Sequence, residues 1–167
     1  MNKEQEIKVS RLQDNLFTLR QLAGWSAIDL GKRLDVTRQT IYNLERGKPK
    51  MSLVQYLAIR KLLEIEIELQ PDNKALAQAV IVLLDDEEIP EDELKELEIK
   101  LKTITKGMSR TTDRGVALQL VVQTVGLAVP AIAAGLITKN PYAGVVTGFA
   151  ILDHISGGTG GKSDEKK

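Results

Sequence analysis

Apolar residues recur at helical spacing through most of this chain, and the pattern breaks where helix-ending residues stand. Leu12, Leu16, Leu19 and Leu22, with Phe17 beside them, make one apolar face, predicting a first helix that stops near Ala23-Gly24. Ser26 then serves as N-cap of a second helix. Asp29 approximates the partner of a capping box, and Trp25 with Leu30 is placed as a hydrophobic staple. This helix is predicted to run to about Leu34. Asp35 takes the sharp turn, since Asp tolerates a left-handed backbone better than most non-glycine residues. Thr37 caps a third helix, with Val36 and Ile41 as its staple pair. Ile41 and Leu44 are spaced by three and must face inward, so Arg38, Gln39, Tyr42, Asn43 and Arg46 face outward or flank the inner stripe. Gly47 ends the third helix. Gly31, in the middle of the second, costs up to about 1 kcal/mol against Ala, which close approach by the third helix would explain.

A fourth helix begins after Ser52 and carries Leu53, Tyr56, Leu57, Arg60, Leu63 and Ile67. After Pro71, Asp72 is the expected cap of a helix through NKALAQAVIVLL, with Leu76, Val80, Leu83 and Leu84 as its apolar face. The acidic loop DDEEIPEDE lacks the alternating ligands and the glycine of a calcium-binding EF-hand loop. Its Glu91, Asp92 and Glu93 suit the N-terminus of a following helix instead. That helix, ELKELEIKLKTITK, bears Leu94, Leu97, Leu101 and Ile104 in a short heptad-like stripe and is expected to end at Gly107. A stripe of this length fits a partner subunit and the preceding helix equally well.

Composition and charge alter this picture in two places. There is no cysteine, which rules out disulfides and thiolate metal sites in this sequence. The net charge of zero hides an asymmetry, because residues 1–62 hold 12 Lys/Arg against 6 Asp/Glu and residues 63–167 hold 11 against 17. A basic N-terminal third suits a nucleic-acid partner. The polar start MNKEQEIKVSRLQ has no secretory pattern, so a cytoplasmic location is expected.

The turn between the second and third helices, the caps on both sides of it and the basic residues that follow belong to one motif. With the LRQLAGWS entry, the DLGKRLDVTRQTIYNLERGK core and the MSLVQYLAIRKLLE helix, residues 12–64 resemble the lambda-repressor-like, Cro/repressor-type (XRE) helix-turn-helix domain. The resemblance implies a DNA-binding transcriptional regulator whose third helix, residues 37–46, lies in the major groove of double-stranded DNA. It makes Arg38 and Gln39 the leading base readers, with Asn43 one turn later. Arg38 suits a guanine bidentately, and Gln39 or Asn43 an adenine. Thr37 stands at the helix start facing the DNA, Thr40 and Tyr42 would touch base methyls or backbone, and Arg46, Lys48 and Lys50 would hold phosphates. Apart from the resemblance, a homodimer or higher homo-oligomer is expected. Two positions depart from the family pattern: Ala27 stands where many members have a phosphate-binding Gln, and Asp35 replaces the usual turn Gly.

The C-terminal third raises a separate question. Gly115 to Thr138 is 24 residues without a charge, 16 of them apolar, and a second apolar run covers Tyr142 to Leu152. As helix the first run reaches about 36 Å, against about 30 Å for a bilayer core. Residues 100–114 just before it hold five Lys/Arg and one Asp, a flank of the kind kept on the cytoplasmic side. Against a span stand Gln119, Gln123, Pro130 and a high Ala and Gly content. Membrane association through 115–155, at the cytoplasmic face of the inner membrane, and a soluble oligomerisation core fit this composition equally. The Gly144/Gly148 pair permits close helix approach in either solvent. In the tail GGTGGKSDEKK, the earlier glycine of a phosphate-binding loop falls on Ser156, and no helix can follow. His154 is the only histidine, so it has no histidine partner for a metal or a triad.

The expectation is therefore an all-α chain. A four- to five-helix lambda-repressor-like domain covers 1–70, a helical middle segment 71–108, an apolar helical hairpin 109–156 and a flexible tail 157–167. No metal cluster, nucleophile–base pair or complete phosphate loop supports an enzyme, and no cofactor is expected. The competing class is a protein-interaction module with a membrane-seated C-terminal hairpin.

Overall fold

The N-terminal residues that lack an apolar pattern are nonetheless helical. Asn2 caps the first helix with a complete capping box: its side chain accepts from the Gln5 backbone N–H at 2.8 Å, and Gln5 Oε1 accepts from the Asn2 N–H at 3.1 Å. The computed structural model describes residues 2–85, 89–108 and 114–129. Its elements are α1 (Lys3–Ala23), α2 (Ala27–Leu34), α3 (Arg38–Glu45), α4 (Leu53–Leu69), α5 (Lys74–Val80, continued by a π-helical turn Ile81–Asp85), α6 (Glu91–Met108) and α7 (Arg114–Ala128). Among the described residues every regular element is a helix.

One apolar core joins them. Leu12, Leu16, Leu19 and Leu22 of α1 are fully buried, and the cluster continues through Leu30, Ile41, Leu44, Ile59 and Leu63 into Leu76, Leu83, Leu101, Val121 and Val125. Helix α1 is the central element, packing on α3, α4, α5 and α6, while α7 covers α5 and α6. Leu94, Leu97 and Leu101, the stripe of α6, are buried within this chain against α1 and α7. Burial of each is worth about 1.5–3 kcal/mol, so the stripe serves the intramolecular core and is not held open for a partner.

Several boundaries differ from the sequence expectation. The cap of α5 is Asn73, not Asp72: its side chain accepts from the Leu76 N–H at 3.2 Å while donating to the Leu22 carbonyl at 2.9 Å. The tertiary bond to α1 selects the residue. On α4, Leu57 is 56% exposed, whereas Ile59 and even Glu66 are buried. Helix α6 runs through Gly107 to Met108, since glycine lowers helix propensity without forbidding helix. Asp85, at the start of the acidic loop, pairs with Arg60 at 2.8 Å.

The Leu22 carbonyl also receives Arg114 at 3.0 Å, so the first residue of α7 is tied to the end of α1. Gly24 there adopts φ 79°, and any Cβ would lie 2.1 Å from the Arg114 guanidinium. The left-handed backbone is what favours glycine here, since the guanidinium is the far end of a flexible side chain and can move aside. Helix α7 ends at Ala128, and among the described residues no helix is long and apolar enough to cross a membrane. The rest of the first apolar run, the second run, the hairpin between them, His154 and the glycine-rich tail lie outside the described residues.

Candidate nucleic-acid interface

Short helices of eight residues need strong end signals, and α2 and α3 have them. Ser26 Oγ accepts from the Asp29 N–H at 3.1 Å and Asp29 Oδ2 accepts from the Ser26 N–H at 2.8 Å, closing the box at the start of α2. Asp35 ends it in the left-handed conformation, φ 53°. The Val36 N–H then bonds the Gly31 carbonyl at 2.9 Å. A Cβ on Gly31 would sit 2.7 Å from the Val36 carbonyl oxygen. The close approach expected at Gly31 is real: the tightest contact is with the turn before α3, and the first residue of α3, Arg38, stands at 3.6 Å through its backbone N. Thr37 Oγ1 accepts from the Thr40 N–H at 3.1 Å and starts α3. At its far end Gly47, φ 70°, closes a Schellman motif, with Gly47 N–H on the Leu44 carbonyl at 3.0 Å and Lys48 N–H on the Asn43 carbonyl at 2.9 Å.

Hydrogen bonds from Ser26, its side chain first and its backbone N–H second, hold the Asp29 carboxyl below the ordinary aspartate value of 3.8. The folded-state value is depressed, so the contribution is present above 3.8 and is lost as pH falls through the lower folded value. Asp29→Asn should therefore be less stable than the wild type near neutral pH. That gap should close on acidification below the ordinary aspartate range, followed by denaturant melts at each pH.

The inner face of α3 is locked. Ile41 and Leu44 are buried, and Glu45, the last residue of the helix, pairs with Arg20 of α1 at 2.5 Å with both side chains almost fully covered. Arg20 also donates to the Trp25 carbonyl at 2.7 Å. Arg33 of α2 lies over the Trp25 ring and reaches Glu66 of α4 at 3.6 Å. Gln13 of α1, itself buried, donates to the carbonyls of Leu44 (3.0 Å) and Pro49 (2.8 Å) and accepts from the Met51 N–H (2.9 Å).

The outer face carries an ordered polar surface. Arg38 is exposed, donates to the Tyr42 hydroxyl from Nε at 3.1 Å and Nη2 at 2.8 Å, and lies 4.9 Å from the ring centroid. Gln39 donates to Asn43 Oδ1 at 2.9 Å. These are i, i+4 pairs on one side of the helix, so four of the residues singled out from sequence form a contiguous patch. Thr37 and Thr40 share a hydroxyl contact of 2.9 Å at the helix start, where the first duty of Thr37 is capping. Arg46, Lys48 and Lys50 are exposed on the segment that follows. Sequence reasoning missed Gln13 and Arg20. The available signal was their position, since both lie among the leucines of the α1 core face, where a polar side chain must find partners.

Two short helices joined by a tight turn, the second presenting an amide and guanidinium surface, define a helix-turn-helix unit. Residues 16–70, about a third of the chain, match the helix-turn-helix family model, in agreement with the resemblance to the Cro/repressor-type domain. No curated protein and no solved structure matches the chain. The match supports a DNA-binding role for this part of the molecule.

Proposed function

We propose that this chain is a non-enzymatic, sequence-specific transcriptional regulator that binds double-stranded DNA as a homodimer, with residues 1–70 as the DNA-holding unit. The observation that carries it is the paired Arg38–Tyr42 and Gln39–Asn43 surface on a helix whose opposite face is fixed in the core. A rigid helix with donor and acceptor forks on its outer side is suited to base edges in the major groove. Arg38, Gln39 and Asn43 read bases. Thr37, Thr40 and Tyr42 line the approach, and Arg46, Lys48 and Lys50 hold phosphates. In a dimer the two copies of α3 would meet half-sites about one turn, roughly 34 Å, apart. Helices α5 and α6 brace α1 and are themselves covered by α7, and the cytoplasm is the proposed place of action.

The test is binding to duplexes selected from a random pool. Arg38→Ala should lose about 1–3 kcal/mol of discrimination at one base pair per half-site and little at the others. Lys48→Ala should weaken all duplexes alike and reduce the salt slope by about 0.9 for each phosphate that Lys48 neutralises. If Arg38→Ala and Gln39→Ala both bind the selected duplex as the wild type does, the assignment of α3 as recognition helix is wrong.

A further inference from the structure

The segment Arg46–Ser52 between α3 and α4 has no regular structure, yet it carries three of the proposed phosphate-holding cations. Its near end is fixed by the Schellman bonds of Gly47 and Lys48, and its far end by the capping box of Ser52 with Gln55. Between them a buried side chain of α1 bonds the backbone. Gln13 takes the Pro49 carbonyl and the Met51 N–H, the two residues on either side of Lys50, and joins them to the Leu44 carbonyl at the end of α3. Both of its amide N–H donors and its carbonyl oxygen are engaged, and the residue is 6% exposed. Met51, 3% exposed, is the apolar plug on the same side, whereas Lys48 and Lys50 are exposed.

We propose that Gln13 is the positioning residue of the phosphate grip: it fixes the backbone from which Lys48 and Lys50 project and sets that backbone in register with α3. The proposal rests on the DNA-binding reading above. A lysine is a point charge on a flexible stem, so its hold on a phosphate is weakened by every added freedom of the backbone beneath it. By bonding Leu44 together with Pro49 and Met51, Gln13 makes the end of the base-reading helix and the phosphate-holding segment one rigid piece. Gln13 itself is buried and touches no DNA.

The experiment compares wild type, Gln13→Met, the double variant Lys48→Ala/Lys50→Ala and the triple variant, in the full chain. Affinity for a selected duplex and for unrelated duplexes is followed against salt, well below each melting temperature. Gln13→Met should weaken binding to all duplexes by a similar factor, about tenfold, with the order of base preference kept and the salt slope lowered by about 0.9–1.8. Added to the double variant, it should change the slope no further, because the lysines it positions are already absent. A role confined to stability would lower the melting temperature and leave the slope of the folded protein unchanged, and that result overturns the proposal. So does a loss confined to one base pair. Should Gln13→Met not fold, Gln13→Asn, one methylene short of the loop, is measured in its place under the same criteria. If wild type shows no salt-dependent duplex binding, or the lysine double variant matches it, the DNA-binding reading fails. If the double variant lowers the slope and Gln13→Met does not, only the role of Gln13 fails.

Discussion

Arg20→Ala is expected to lower stability by about 3–5 kcal/mol, because it leaves a buried carboxylate without its partner. An exposed ion pair contributes about 0–1 kcal/mol, so the accessibility decides the magnitude. The side chains of Arg20 and Glu45 are 5% and 7% exposed, whereas those of Lys8 and Glu4, an i, i+4 pair on the same helix, are 41% and 69% exposed. For a chain of this size each kcal/mol moves the melting temperature by roughly 2–4 °C, so the shift should be roughly 6–20 °C by circular dichroism. Lys8→Ala should hardly move it. Arg20 also carries the Trp25 carbonyl, so the double replacement Arg20→Met with Glu45→Leu should recover most of the loss but not all. A buried carbonyl left unpaired costs about 1–3 kcal/mol. An Arg20→Ala protein that melts with the wild type would mean the pair is solvated and does not fix α3.

The parts of this molecule that were legible in the sequence are those decided by neighbours a few residues away. Ser26 with Asp29, Thr37 with its helix, Asp35 in the turn and Gly24 and Gly47 at helix ends all depend on local backbone geometry, and each stands where the pattern put it. The outward patch of α3 followed because Ile41 and Leu44 leave one inward face. The face of α4 did not follow. That helix has apolar residues on every side, including Val54 and Leu69, which are 76% and 70% exposed. Periodicity cannot choose a face there; packing on α1 does. Gln13 was illegible for another reason, since its partners lie 31 to 38 residues away. The same holds for α6 and α7, whose apolar stripes announce burial without naming the surfaces that receive them, α1 and α7 for α6 and α5 and α6 for α7.

The second large effect is expected at Gly31, where two terms oppose each other. Alanine is favoured over glycine in a helix interior by about 1 kcal/mol, so Gly31→Ala would stabilise α2 if space allowed. The new Cβ would instead stand 2.7 Å from the Val36 carbonyl oxygen, well inside van der Waals contact. That oxygen is backbone and cannot rotate away, and the Val36 N–H is itself bonded to the Gly31 carbonyl at 2.9 Å. Relief therefore requires the turn to move, and α3 with it. Overpacking of this kind typically costs about 1–3 kcal/mol, so the net change in denaturant melts should be a loss despite the better propensity. Gly47 provides the contrast. A Cβ there meets nothing within 4 Å, and only φ 70° disfavours a side chain, so Gly47→Ala should cost about 1–2 kcal/mol of left-handed strain without displacing α2 from α3. On selected DNA, Gly31→Ala should consequently lose more affinity than Gly47→Ala at comparable stability. A Gly31→Ala protein that gained stability and kept its DNA affinity would show that the turn yields freely, and the α2–α3 junction could then not be what holds the recognition surface in place.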